Sequence, residues 1–355
     1  YFPKFFHPDP SVKRQSGLLQ PRLNNSQTLG SSFLLPYFHV LSDNKDLTFK
    51  PTFFDKDIFM IQNEYRQQNK KSFFITDFNI TDGYKSKSSQ KENTLIHFFS
   101  KYESDLDFEN FISSSLDISY QKVNNDTYLK IFDTNIVDTE LKPESFDTLT
   151  SDIELNLEHE KFNFTTGFTA YEDLSKPNSD RYQYILPYYN FSKNFFDNNN
   201  FGSFDFVSLG DNILKDTNSL RSRMINNLNI QSFDFISDKG FKNNLNYYLK
   251  NTITSGKDNI EYDSSPDVKF SNIIEMQSSF PLVKINKNYS NYINPKLSLR
   301  INPSSMKFYG DKKRKINSDN IFNINRLGLL DTLETGQNLT LGIDYKKEKL
   351  NDINK

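Results

Sequence analysis

Apolar and polar residues alternate with a period of two along most of this chain, and no other feature limits its fold as strongly. Successive side chains of a β-strand point to opposite faces, so an alternating strand has one apolar and one polar side. Ile112, Leu116, Ile118 and Tyr120 interleave with Ser113, Ser115, Asp117, Ser119 and Gln121. Ile153, Leu155 and Leu157 interleave with Glu154, Asn156 and Glu158, and Phe162, Phe164 and Phe168 continue in the opposite phase. That reversal around His159 to Lys161 predicts a tight antiparallel hairpin. The pattern returns at Phe241, Leu245, Tyr247 and Leu249, at Leu297, Leu299 and Ile301, and at Leu339, Leu341, Ile343 and Tyr345. About fifteen such segments of roughly ten residues are expected, the length of a tilted membrane-spanning strand.

Composition decides between the classes that alternation leaves open. With 34 Phe and 19 Tyr the chain has aromatic surface to place, which excludes a disordered polar polymer. Only 35% of its 355 residues are hydrophobic, and no run approaches the roughly 18 apolar residues of a membrane-spanning helix. An antiparallel transmembrane β-barrel reconciles the two facts, because each strand needs one apolar face while lumen and loops are polar. A soluble β-sandwich adhesin shares the alternation and is the competing all-β reading. The formal charge of −2, from 43 basic and 45 acidic residues, provides no global field for nucleic acid. There is no Cys, hence no disulfide or thiolate metal site.

Polar stretches of uneven length, Asn194 to Asn200, Thr254 to Lys269 and Ser304 to Asn320, are read as loops between strands. Asp216 to Asn227 is the one modest candidate for an amphipathic helix and is also read as a loop. Chemistry-bearing motifs are absent: no G-x-S-x-G elbow, P-loop or G-x-G-x-x-G occurs, so no enzyme is expected, and no cofactor. His7, His39, His97 and His159 lack the spacing of a metal site and are read as solvated or lumen-facing. The run Lys312, Lys313, Arg314, Lys315 is read as a solvated loop face, with phosphate binding the sharper alternative.

The most specific block is amino-terminal. HPDPSVKRQSG runs from His7 to Gly17, Leu18, Leu19 and Pro21 follow, and LLPYF spans Leu34 to Phe38. In Pro8, Asp9, Pro10, Arg14, Ser16, Gly17, Leu18, Leu19 and Pro21 the chain resembles the barrel part of the LPS-assembly protein family LptD. The resemblance continues through Asp46 to Pro51, Glu64-Tyr65-Arg66, Asn125 to Leu129, and Asn320-Ile-Phe with Arg326, Gly328, Asp331, Glu334 and Gly336. It implies that residues 1–17 are the exit of a periplasmic jelly roll and a hinge, and 18–355 a partial outer-membrane barrel. The chain, opening at Tyr1 without an initiator Met or signal peptide, is then read as an internal segment lacking the jelly roll and closing strands. The disulfides that tie jelly roll to barrel in many relatives cannot be transferred. The hinge would use Pro8, Asp9 and Pro10 for stiffness, with Arg14 solvated or paired with Asp9, and Ser16 and Gly17 at a sharp turn.

Pro21 and Pro36 are expected in the first two barrel strands. Proline cannot donate to a ladder, so each position suits either a strand end or a weak seam. The resemblance favours the seam: a lateral gate through which lipopolysaccharide leaves a polar lumen for the outer leaflet of a Gram-negative outer membrane. The partners it implies are lipopolysaccharide, outer-membrane lipid, a plug lipoprotein (LptE) and a periplasmic bridge protein (LptA) reached through the jelly roll. A diffusion porin or receptor barrel is the alternative membrane function.

Overall fold

The computed structural model describes residues 14–55, 57–85, 93–136, 139–198, 202–286, 288–306 and 315–349. Strands account for nearly all regular structure: β1 (Gly17–Leu18), β2 (Arg22–Ser26), β3 (Gly30–Leu34), β4 (Tyr37–Ser42), β5 (Lys45–Phe54), β6 (Phe59–Gln68), β7 (Ser72–Tyr84), β8 (Asn93–Asp105), β9 (Ser113–Val123) and β10 (Thr148–His159). They continue as β11 (Phe162–Asp173), β12 (Tyr182–Asn198), β13 (Gly202–Lys215), β14 (Ser219–Gln231), β15 (Phe235–Ile236), β16 (Lys242–Lys257), β17 (Asp267–Ser279), β18 (Leu282–Ile285), β19 (Tyr289–Asn302) and β20 (Gly336–Lys349). One short helix, α1 (Tyr128–Phe132), and a 3-10 turn at Asn178–Arg181 complete the described elements.

The 20 strands form one sheet of sequence-adjacent pairings, antiparallel wherever a register is described. The expected fold class stands, and the count differs for a physical reason. β1/β2, β3/β4, β14/β15 and β17/β18 are each one span interrupted at a proline or bulge, so the 20 strands make 16 spans. The hairpin expected at His159 is present, with only Glu160 and Lys161 between β10 and β11. Asp216 to Asn227 is corrected: β14 begins at Ser219, so most of the stretch is strand rather than loop. Its alternation was blurred because Ile225 sits on the same face as Arg221 and Arg223. The polar stretches at Asn194 and Thr254 are likewise shorter loops than expected, since β12 runs to Asn198 and β16 to Lys257.

The chain divides into two compact units, the first comprising residues 1–157, 166–186 and 214–217 and the second residues 158–165, 187–213 and 218–355. In the first, the exposed face of β5 to β8 carries Phe49, Phe53, Phe59, Ile80 and Phe98, while Lys50, Gln62, Glu64, Asp77, Asn79 and His97 are buried on the other. The second repeats the inversion, with Leu245, Phe270, Ile274, Leu299 and Leu341 exposed, and Asn246, Lys250, Glu275 and Arg300 buried. A water-soluble sheet buries its apolar side instead. Leaving such a face in water forgoes roughly 1.5–3 kcal/mol per large side chain, and contiguous apolar surface of this kind marks contact with lipid or a partner.

Among the described residues of the first unit there is one hydrophobic cluster. Met60, Ile75, Leu95 and Phe99 lie on the otherwise polar face and pack with Leu29, Leu129, Phe132, Ile136 and Leu141. It forms where the described parts of the connection from β9 to β10, residues 124–136 and 139–147, fold back over the sheet.

Candidate functional site: a proline break and a covered polar face

β1 pairs with β4 at Gly17↔Phe38 and Leu18↔Tyr37, and β2 pairs with β3 from Arg22↔Leu34 to Ser26↔Gly30. Pro21 and Pro36 therefore face the same interruption from opposite strands, and the register slips by one residue across it. Leu19 donates its N–H to the Pro36 carbonyl at 2.9 Å. In a hydrogen-bonded antiparallel pair the two residues exchange both bonds, but Pro36 has no N–H to return to Leu19. Leu35 repeats the defect on its other side, donating to the Pro51 carbonyl at 3.2 Å while Pro51, in β5, returns nothing. Pro51 was not singled out as a seam residue in the sequence; its signal is the same 15-residue step that separates Pro21 from Pro36. Three adjacent spans thus carry a proline near one level, and two ladder bonds are missing there.

The amino-terminal residues attach to this hairpin's far end. Arg14 forms an ion pair with Asp46 of β5, and its guanidinium lies 5.5 Å from the Phe38 ring centroid. Ser16 accepts the Val40 N–H at its hydroxyl, 2.8 Å away. Gly17 is extended strand opposite Phe38, where a sharp turn was expected, so at this position the ladder and not a turn sets the backbone. Pro8, Asp9 and Pro10 lie outside the described residues, as do Lys312, Lys313 and Arg314.

Behind the break, the polar face is dense with charge. Lys50, 2% exposed, meets Glu64 at 3.2 Å, and Arg66 reaches Asp46 at 2.9 Å. His97 lies on the polar face of the sheet with Asp77 and Asn79, and because it has no exposed surface the structure overturns only the solvated half of the solvated or lumen-facing reading. Its Nε2 is 2.9 Å from Asp77 Oδ1 and its Nδ1 is 2.8 Å from the Tyr128 hydroxyl. Asn79 donates to that hydroxyl at 2.6 Å, and Gln62 donates to Asp77 Oδ2 at 2.7 Å. A neutral imidazole with its proton on Nε2 satisfies these contacts, with Tyr128 donating to Nδ1. The order carboxylate, imidazole, hydroxyl resembles a hydrolytic relay. Here the hydroxyl is a phenol that burial holds well above its ordinary pKa, with no exposed surface, so the arrangement fastens α1 to the sheet.

The covering segment also reaches the proline hairpin. Asn24 of β2 donates to the Thr134 carbonyl at 3.0 Å, and Asn135 donates to the Ser32 hydroxyl of β3 at 3.2 Å. Replacing Tyr128 by phenylalanine removes the hydroxyl shared by His97 and Asn79 and leaves buried polar atoms, a cost of about 1–3 kcal/mol. Hydrogen exchange should accelerate selectively across residues 124–136. Unchanged protection there would show that apolar packing alone holds the segment.

In the second unit, residues 315–335 cover the polar face in the same manner. Arg326 forks onto Glu334 at 2.9 and 2.7 Å, Asn302 donates to the Glu334 carbonyl at 2.7 Å, and Lys250 donates to the Leu330 carbonyl at 2.6 Å. Tyr262 donates to Asp331 at 2.8 Å. Among the described residues no group of His, Cys, Asp and Glu has the arrangement of a metal site.

No family model matches the chain. Over 65 residues it is 42% identical to the LPS-assembly protein LptD of Polaromonas sp. (strain JS666 / ATCC BAA-500), a stretch amounting to 18% of this chain and 8% of that protein. The match thus spans a small fraction of that relative's length. A bacterial polysaccharide outer membrane secretin aligns with 82% of this chain and 93% of its own, at 7% identity and a TM-score of 0.27, a likeness too loose to carry an argument.

Proposed function

We propose that this chain forms wall of an outer-membrane barrel that assembles lipopolysaccharide, acting by binding and passage and catalysing no reaction. The observation that carries the reading is the sheet's inverted polarity, apolar side chains outward and charged ones buried, combined with a ladder weakened at Pro21, Pro36 and Pro51. The physical problem fits this arrangement. A molecule with several acyl chains and a large sugar-phosphate head suits neither a bilayer nor an aqueous pore throughout. A polar interior with a side seam lets the head pass through the lumen while the acyl chains leave sideways into lipid. A plug lipoprotein such as LptE and a periplasmic bridge such as LptA would complete the path. The partial identity to LptD supports the same substrate class.

A porin has no use for a frail seam, and the prolines separate the two readings. Replacing Pro21 and Pro36 together with alanine restores donors to the first spans. Of the two missing ladder bonds this restores the one from position 36 to Leu19, and at about 0.5–1.5 kcal/mol for that bond the open seam becomes roughly two- to 12-fold rarer. Delivery of lipopolysaccharide to the cell surface by the full-length protein should slow, and crosslinks across the seam should form more readily. Normal surface lipopolysaccharide with unaltered crosslinking would remove the gate from the account.

A further inference from the structure

The exposed face of β17 to β20 changes character row by row. The register continues without a slip from Met276↔Leu299 and Ser278↔Leu297 to Leu282↔Ile293 and Lys284↔Asn291. On the other side of β19 the partners are Leu299↔Leu339, Leu297↔Leu341, Pro295↔Ile343, Ile293↔Tyr345, Asn291↔Lys347 and Tyr289↔Lys349. Along one face of β20, Leu339, Leu341, Ile343 and Tyr345 are 64%, 70%, 71% and 62% exposed, and Lys347 and Lys349 follow. Leu339 to Tyr345 spans six residue steps, roughly 20 Å along the strand, close to the apolar height of a barrel once tilt is allowed for.

The step from the row Leu282, Ile293, Tyr345 to the polar row Lys284, Asn291, Lys347 is therefore abrupt and in register across three spans, with the aromatic at the boundary supplied by β20. The Lys347 ammonium sits 4.4 Å from the Tyr289 ring centroid, and Tyr345 donates to Asn291 at 3.1 Å. The acids of this rim lie on the opposite face of β20: Asp344 pairs with Lys296 and Glu348 with Lys346. Among the described residues, the face bearing Lys284, Lys347 and Lys349 has no acidic side chain on β18 to β20.

We propose that Lys284, Asn291, Lys347 and Lys349 form a docking surface for the phosphate headgroups of anionic phospholipid in the leaflet bordering this rim. The inference rests on the membrane reading above and goes beyond it. Lysine stems run along apolar surface while the ammonium groups stay at the polar boundary, where an anionic headgroup supplies the countercharge. The rows of Leu and Ile fix the depth of the acyl chains, and the lysine row meets the phosphate at the end of that depth.

The test reconstitutes the full-length protein in nanodiscs of phosphatidylcholine mixed with phosphatidylglycerol and counts retained lipids by native mass spectrometry. Wild type should retain phosphatidylglycerol preferentially. The triple variant Lys284→Gln, Lys347→Gln, Lys349→Gln should lose at least fivefold of that preference, at about fivefold for each lysine near a membrane surface. Lys346→Gln, on the other face, should leave it intact. Insertion with equal retention of both lipids, or an equal loss in Lys346→Gln, overturns the headgroup surface alone. Failure of the wild type to enter nanodiscs overturns the membrane reading with it.

Discussion

Truncating Lys50 to alanine destabilises the folded chain by up to about 3–5 kcal/mol, because it removes the nearer cation from the buried Glu64 carboxylate and leaves only Arg66, 3.7 Å away, beside it. Lys50 is 2% exposed and its ammonium lies 3.2 Å from Glu64. The strand register places both on the buried side of adjacent strands, at Thr48↔Glu64 and Lys50↔Gln62, one diagonal step apart. Urea titration of folding into phospholipid vesicles reads the loss directly. The double variant Lys50→Met, Glu64→Leu supplies the control: with both charges removed, stability should return to within about 1 kcal/mol of wild type, or exceed it. A loss below about 1 kcal/mol in Lys50→Ala would mean that water reaches the pair and that this polar face is open rather than covered.

Replacing Ile274 with arginine tests the other face. Ile274 is 54% exposed and lies between Tyr247 of β16 and Ile301 of β19, among the apolar rows of the second unit. On the lipid face of a barrel an arginine near the bilayer midplane costs roughly 2–4 kcal/mol. At an exposed position of a water-soluble sandwich the same change stays within about 0.5 kcal/mol. The same vesicle titration, with Leu282→Arg on the same face one row from Lys284 as a comparison near the strand end, distinguishes the two. A depth-dependent penalty is expected, and a flat, negligible one would restore the soluble reading.

Much of the architecture was legible in the amino-acid order because strand geometry is local. Period two sets which side chains share a face, and the reversal at His159 marks a hairpin within a few residues. The resemblance reached further, since Arg326, Asp331 and Glu334 prove to be residues that fasten the covering segment of the second unit. Local rules failed where a strand carries apolar residues on both faces, as in β14. They also failed at α1, whose five residues are too few for a helical period to register.

What the sequence determined by itself is the all-β class, the two unlike faces of each strand and the positions where proline withholds a donor. Which face would be the buried one lay beyond it, since alternation is identical for a soluble sandwich and a barrel. Tertiary structure decided that, by turning Lys50, Asp77 and Glu275 inward and Phe53, Ile274 and Leu341 outward. It also decided that His97 meets Asp77 and Tyr128, and that Leu35 faces Pro51. These pairings join residues 16–31 positions apart on different strands or on a strand and α1, and no local pattern encodes them: the distance between such groups exists only once the strands have taken their register.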